Sequence, residues 1–413
     1  MTTADLHRSI ETVWRLESRT LIAALVRITR DVGLAEDLAQ EALVAALTQW
    51  PESGVPKKPG AWLMAVAKRR AIDGFRRRER QDSAYAGIAQ RQGDAVVDDV
   101  ADAVDHVEDD VLRLMFICCH PALGSDAQVT LTLRLLAGLT TGEIARSFLT
   151  SEATIAARIT RAKKTLAQVE APMDEPSGDE RAARLSGVMS VVYLLFNEGY
   201  AASAGADWMR TDLCAEALRL GRVLAELVPD EPEVHGLVAL MELQHSRAAA
   251  RTDAEGVPVL LLEQDRSRWD GLLVRRGLAA LDRATSLGKP VGPYVLQAEI
   301  AACHSRARVA DRTDWARMAS VYEVLAGVTG SAVVELNRVV AVSFAEGPEA
   351  ALAVLDAADL SALAGYHLLP SVRGDLLART GRLDEARVEL ETAASLTDND
   401  RERAMLRERI AAL

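Results

Sequence analysis

The chain has 413 residues, 49% of them hydrophobic but only 4% aromatic, and a formal net charge of −12. Its length implies two or three domains, and its wealth of Ala, Leu, Val, Arg and Glu favours helices over strands. The acidic balance excludes a protein that coats nucleic acid over its whole surface, so any DNA-binding face must be local.

The four cysteines, Cys118, Cys119, Cys214 and Cys303, form no CxxC. They argue against a disulfide framework or a zinc site and for buried core thiols. No metal and no cofactor is expected. The N-terminus is polar, and the longest apolar run, residues 187–196, is shorter than the roughly 20 residues that span a bilayer. A cytoplasmic protein without membrane contact is the expectation.

Residues 5–30 predict an amphipathic helix with Leu16, Ile22, Leu25, Val26 and Ile28 as core candidates, broken by Gly33. A second helix, LAEDLAQEALVAALTQW, is expected over 34–50. Leu38, Ala39, Ala42, Leu43, Ala46, Leu47 and Trp50 form its apolar side. Glu36, Asp37, Gln40 and Glu41 make a compact acidic-polar patch on its first turns. Such a patch either stabilises the helix through its dipole or offers a docking face to a basic helical partner. A loop is expected over 51–59.

The next stretch, PGAWLMAVAKRRAIDGFRRRER at 59–80, carries Leu63, Ala67, Ala71 and Phe75 every four residues, with Ile72 beside them. Lys68, Arg69, Arg70, Arg76, Arg77, Arg78 and Arg80 face only Asp73 and Glu79, and Trp62 stands at the leading edge. A packed helix with such a comb of cations can neutralise phosphates, although the same pattern also suits an ordinary solvated face. Asp94, Asp98, Asp99, Asp102, Asp105, Glu108, Asp109 and Asp110 then follow with no intervening Lys or Arg, as in a solvated linker.

Residues 111–170 predict another helical unit. Thr140 with Glu143 makes a capping box, Ile144, Ala145 and Phe148 an inner face, Leu149 and Thr150 a tight turn, and Ser151 the cap of a further helix. In that helix Ile155, Ile159, Ala162 and Leu166 point inward. Ala153, Ala157, Thr160, Arg161 and Lys164 lie opposite, with Arg158 on the flank. Small residues flanked by long cations are what a helix needs to enter a major groove, so this reads as a helix-turn-helix. After a Pro-, Ser- and Gly-containing linker the rest of the chain reads as helix pairs. Gly347 and Gly381 close the first helices of two pairs and lie 34 residues apart, the period of tetratricopeptide repeats; a looser pair is expected over 212–243. His235, His245, His304 and His367 are isolated and read as packing or surface residues.

The segments AEDLAQEALVAALTQWP, AWLMAVAKRRAIDGFRRRER and GLTTGEIARSFLTSEATIAARITRAKKTL, in that order, resemble the extracytoplasmic-function (group IV) sigma factors of the sigma-70 family. YLLFNEGYAAS, RTDLCAEALRLGRVL, QDRSRWD, VVELNRVVAV and GYHLLPSVRGDLLARTGRLDEA resemble the subgroup with a tetratricopeptide-like C-terminal extension. The resemblance implies an all-α chain: sigma region 2 at 1–80, an acidic linker at 81–110, sigma region 4 at 111–170, a linker at 171–178 and the extension at 179–413. It implies docking of Asp37, Gln40 and Glu41 on the β′ clamp helices of the RNA polymerase core, with further contact to the β flap. It implies −10 promoter contacts from Lys68, Arg69, Arg70, Arg76, Arg77 and Arg78, with Trp62 a packing residue. It implies −35 contacts from Ser151, Thr154, Arg158, Arg161 and Lys164, and a linker threaded through the polymerase channels. Arg69 stands where the family commonly has Asn, a departure in the strand-opening region. The extension would bind a protein partner, or restrain the basic modules, or add contacts needed for activity. The chain itself would be no enzyme. The alternatives from the residues alone are a stand-alone helix-turn-helix regulator with a repeat-type sensor domain, and a repeat scaffold.

Overall fold

The computed structural model describes residues 3–85, 107–148, 150–169, 178–200, 211–253, 259–397 and 400–413. The fold is all-α, as the composition requires: 18 α-helices and no strand among the described residues. Contacts divide the chain into two compact units, Met1–Leu227 and Val228–Leu413.

The first unit opens with α1 (Thr3–Thr29), α2 (Val32–Ser53) and α3 (Pro59–Tyr85), which pack on one another. Leu21, Ile22, Leu25 and Val26 of α1 meet Ala35, Ala39, Ala42, Ala46 and Trp50 of α2 and Leu63, Ala67 and Ala71 of α3, all buried. The four-residue spacing on α3 therefore forms the buried stripe it announced, with Ile72 and Phe75 half-buried at its end. Leu16, expected in the core, is instead 62% exposed, because the inward face of α1 passes through Ser18, Leu21 and Leu25. The break before α2 lies at Arg30, with a left-handed φ of 52°, rather than at Gly33, which sits inside α2's first turn. Asp31 caps α2 by accepting from the Leu34 N–H at 3.0 Å. The loop expected from Pro51 begins later: α2 continues to Ser53 and stops at Gly54, whose φ is 77° and whose N–H donates to the Trp50 carbonyl at 2.9 Å.

Next come α4 (Val107–Cys118), α5 (Ser125–Leu131), a π-helical turn (Thr132–Leu136), α6 (Thr141–Ser147) and α7 (Glu152–Gln168). α8 (Gly178–Tyr200) and α9 (Thr211–Leu227) complete this unit. They pack on each other through Val188, Val191, Val192, Leu195 and Phe196 on one side and Leu213, Cys214, Ala217, Leu218 and Leu224 on the other, and both pack on α4. The pair expected over 212–243 does not form. Its first helix has α8 as partner, whereas its second, α10 (Pro232–Ser246), belongs to the other unit.

The second unit continues with α11 (Gly271–Ser286), α12 (Pro293–Arg306), α13 (Trp315–Thr329), α14 (Ala332–Ala345), α15 (Pro348–Ala357), α16 (Leu368–Arg379), α17 (Leu383–Leu396) and α18 (Asp400–Ala411). Sequence neighbours pack side by side throughout, giving stacked helix pairs. Gly347 and Gly381 take left-handed φ values of 101° and 79° at the two turns marked by the repeat spacing. α10 is buried nearly all round, between α11 and α12. Gly236 permits that approach: a Cβ there would lie 2.6 Å from the Val295 backbone nitrogen and 2.8 Å from its Cα. Gly236→Ala must push α10 and α12 apart. A cost of about 1–3 kcal/mol and a melting point several degrees lower are expected in thermal unfolding followed by circular dichroism. An unchanged melting point would show that the helices separate freely.

Candidate nucleic-acid and polymerase interface

The helix-turn-helix is built by its caps. Thr140 Oγ1 accepts from the Glu143 N–H at 3.2 Å, and Glu143 Oε2 accepts from the Thr140 N–H at 2.8 Å, closing the capping box that starts α6. Ser151 Oγ accepts from the Thr154 N–H at 3.1 Å and lies 2.8 Å from Thr154 Oγ1. These two site candidates thus form the cap of α7, both exposed. Ile155, Ile159, Ala162 and Leu166 are buried, while Ala153, Ala157, Thr160, Arg161 and Lys164 are exposed, as the spacing requires. Arg158 differs from Arg161 and Lys164 of this helix. It is half-buried, paired with Asp126 of α5 at 3.0 Å, and donates to Thr130 Oγ1 at 3.5 Å. Leu149 lies outside the described residues.

On α3, Arg69 and Arg76 are exposed and Lys68 is half-buried. Burial, aided by the charge of Arg27, holds the Lys68 ammonium below the usual lysine range. Arg70 Nη1 donates to Glu41 Oε2 at 2.7 Å, tying the basic comb to α2. The side chains of Arg77 and Arg78 lie outside the described residues, as do those of the acidic run from Asp94 to Asp109. Trp62 is half-buried, its ring edge-on to Trp50 at 5.3 Å.

Along α2, Asp37 and Glu41 are exposed, and half-buried Gln40 donates to Glu36 Oε1 at 2.6 Å. Glu36 does not share this surface. Its side chain is 4% exposed and is clamped by Arg134 Nε at 2.6 Å and Lys163 Nζ at 2.5 Å. Arg134 comes from the π-helical turn and also donates to the Leu139 carbonyl at 3.0 Å; Lys163 comes from α7. Asp110, the end of the acidic run, is likewise buried, accepting from Arg27 Nε at 3.2 Å and Arg113 Nη1 at 3.3 Å. An exposed pair, Arg15 with Glu143 at 2.8 Å, adds a contact of small energetic weight. These pairs join the helices of 1–85 to those of 107–168. Sequence reasoning missed Arg134, Lys163, Arg27 and the burial of Glu36, because partners so far apart in the chain leave no local pattern.

Burial pushes the Glu36 carboxyl up, but Arg134 and Lys163 outweigh it, and the group ends below the usual glutamate range. Its contribution to closure is therefore complete above the unfolded-state value and is lost as the pH falls through the folded one. Acid should separate the two modules. Fluorescent probes on α3 and α7, titrated downward from neutral pH, should report an opening that begins only below the ordinary glutamate pKa. An opening that began near neutrality would point to a different latch.

Elsewhere the titratable groups act as packing. Cys118 and Cys119 are buried, and burial raises both thiols, Cys119 to about 12. Burial lowers His304 to about 4, with its ring edge-on to Trp315 at 5.4 Å. No group of three or more metal-ligating residues occurs among the described residues. No helix among them is long and apolar enough to cross a membrane.

Comparison with known proteins adds three family matches: sigma-70 region 2 over residues 14–81, sigma-70 region 4 over 113–166, and a family of unknown function (DUF6596) over 184–285. A protein of Rhizobium meliloti (strain 1021) described only as uncharacterized is 44% identical over 388 residues, 94% of this chain and 91% of the relative. A probable ECF RNA polymerase sigma factor, SigI, of Mycobacterium tuberculosis is 34% identical over 145 residues, 34% of this chain and 48% of the relative. The ECF RNA polymerase sigma factor SigK of a Mycobacterium species (strain KMS) is 30% identical over 163 residues, 37% of this chain and 79% of the relative. No solved structure matches. With region 2 carried by α1–α3 and region 4 by α4–α7, the chain belongs to the ECF RNA polymerase sigma factors of the sigma-70 family.

Proposed function

We propose that the chain docks on core RNA polymerase and directs it to promoters with −10 and −35 elements, working in the cytoplasm beside the polymerase. Asp37, Gln40 and Glu41 meet the β′ clamp helices. Lys68, Arg69, Arg70, Arg76, Arg77 and Arg78 hold the −10 region as it opens, and Ser151, Thr154, Arg158, Arg161 and Lys164 address the −35 region, with the β flap supporting that module. The observation that carries this reading is α7: a capped second helix of a helix-turn-helix whose outer face is small residues and free cations, in a chain that also carries the acidic helix α2. The free chain, at −12, attracts DNA poorly as a whole. Polymerase would spread the two modules to promoter spacing, so that two linked sites bind together. Cations would then hold the displaced backbone while unstacked bases are captured. Polymerase supplies the bond chemistry. The stacked helix pairs of the second unit, with the 34-residue spacing of Gly347 and Gly381, support a tetratricopeptide-like extension that binds a protein surface.

Arg161→Ala with Lys164→Ala tests the −35 assignment. Neither residue has an ion-pair partner among the described residues, so the fold should stand. Initiation should fall by about tenfold or more, in line with about 1–3 kcal/mol for a specific contact, while capture of core polymerase is retained. Equal loss of both would count against this role for α7.

A further inference from the structure

The pairing of Glu36 with Arg134 and Lys163 asks for more than a structural reading. A buried carboxylate held by two cations is costly to desolvate, and a well-packed apolar cluster would serve stability as well or better. Retaining charge is useful where the same cations have a second partner in another state. Lys163 lies on α7 between the buried seam and the exposed cations Arg161 and Lys164. Arg134 stands in the turn that leads into the helix-turn-helix. Both are held at their charged ends by an oxyanion, at hydrogen-bond distance, as a DNA phosphate would hold them. The oxyanion is supplied by α2, one residue before Asp37.

We propose that Arg134 and Lys163 are two further phosphate-contacting residues of the second module, and that Glu36 occupies the place of the phosphate in the free chain. This rests on the sigma-factor reading and extends it. Docking of α2 on polymerase and release of the two cations then become one event, because the latch and the docking patch share two turns of helix. Gln40, which donates to Glu36 and lies in that patch, links them directly. Free chain is thereby kept off DNA by its own carboxylate, and the cations reach phosphate only once the modules part.

The test uses the full chain, a mixed-sequence 30-base-pair duplex and fluorescence anisotropy over a range of salt, with folding checked by circular dichroism. Phosphate contact is independent of sequence, so no promoter is needed. E36Q should bind several-fold more tightly than the wild type at low salt, with a salt slope steeper by about 2, near 0.9 for each phosphate gained. Adding K163Q to E36Q should remove about half of that extra slope, and adding R134Q the rest. If E36Q does not fold, E36D, which keeps the charge and loosens the pair, should show about a twofold gain in affinity. An unchanged affinity and slope in the folded variant, or a gain that survives K163Q and R134Q together, would overturn the proposal. Capture of core polymerase by wild-type chain is measured in parallel. A chain that captures no core contradicts the sigma-factor reading, whereas a chain that captures core with E36Q inert on DNA contradicts only this inference.

Discussion

A chain ended after residue 178 should be insoluble or molten, whereas one ended at Leu227 should fold. α8 covers α4 and α5 and, with α9, buries Val188, Val191, Val192, Leu195, Phe196, Leu213, Leu218 and Leu224. Fully burying each such side chain is worth about 1.5–3 kcal/mol, so removing both helices uncovers more apolar surface on α4 than the remaining helices can tolerate. Arg219 adds a specific tie, donating through Nη2 to the Leu136 carbonyl at 3.0 Å at the end of the π-helical turn. Size-exclusion chromatography and urea unfolding of the two fragments decide the matter. A well-folded monomer from residues 1–178 would show that α8 and α9 merely rest on α4 and α5. Whether the second unit restrains or supports initiation is therefore measured with the 1–227 fragment. The shorter fragment would confound regulation with unfolding.

Asp37→Lys should abolish capture of core polymerase at concentrations where the wild type saturates. Asp37 is exposed, and no ion pair holds it among the described residues, so the substitution should leave melting nearly unchanged. Opposed like charges across an interface cost several kcal/mol, which corresponds to a loss of affinity of about a hundredfold or more. Glu41 is a weaker probe, because Arg70 already neutralises it at 2.7 Å and its removal also frees a cation of α3. Pull-down with purified core measures the effect. Retained capture would move the docking surface off α2 and leave that helix as scaffold.

The parts of the molecule legible in the sequence are those governed by short-range rules. Leu63, Ala67 and Ala71 share a face because four residues make about one helical turn, and Ile155, Ile159, Ala162 and Leu166 do so for the same reason. The capping box at Thr140 and Glu143 is a three-residue relation and appears in the structure as such. What was not legible is set by partners far along the chain. Nothing around Glu36 distinguishes it from Asp37 in the acidic patch, yet one is buried and the other exposed, because Arg134 and Lys163 approach from a different module. Arg158 looks like its neighbours in sequence but is taken up by Asp126. The pairing of α9 with α8 rather than with α10 depends on the surface that α4 offers, and no repeat period announces it.

The cations of the first unit fall into two groups by their partners. Arg161, Lys164, Arg69 and Arg76 are exposed in the free chain. Arg158, Arg134, Lys163 and Arg70 are each engaged by a carboxylate. The free protein thus presents a fraction of the cationic surface that its sequence carries. On the proposed function, substituting Arg161 or Lys164 should act on DNA contact alone, whereas substituting Arg134 or Lys163, whose partner Glu36 lies in the other module, should act on closure as well.

The most direct measurement is transcription from a pool of genomic fragments by core polymerase lacking any specificity subunit, with and without the purified full chain. Transcripts that start at a small set of shared sites, dependent on the chain and lost with Asp37→Lys, are the expected result. Core that ignores the chain, or starts at the same scattered ends in its presence as in its absence, would contradict the assignment.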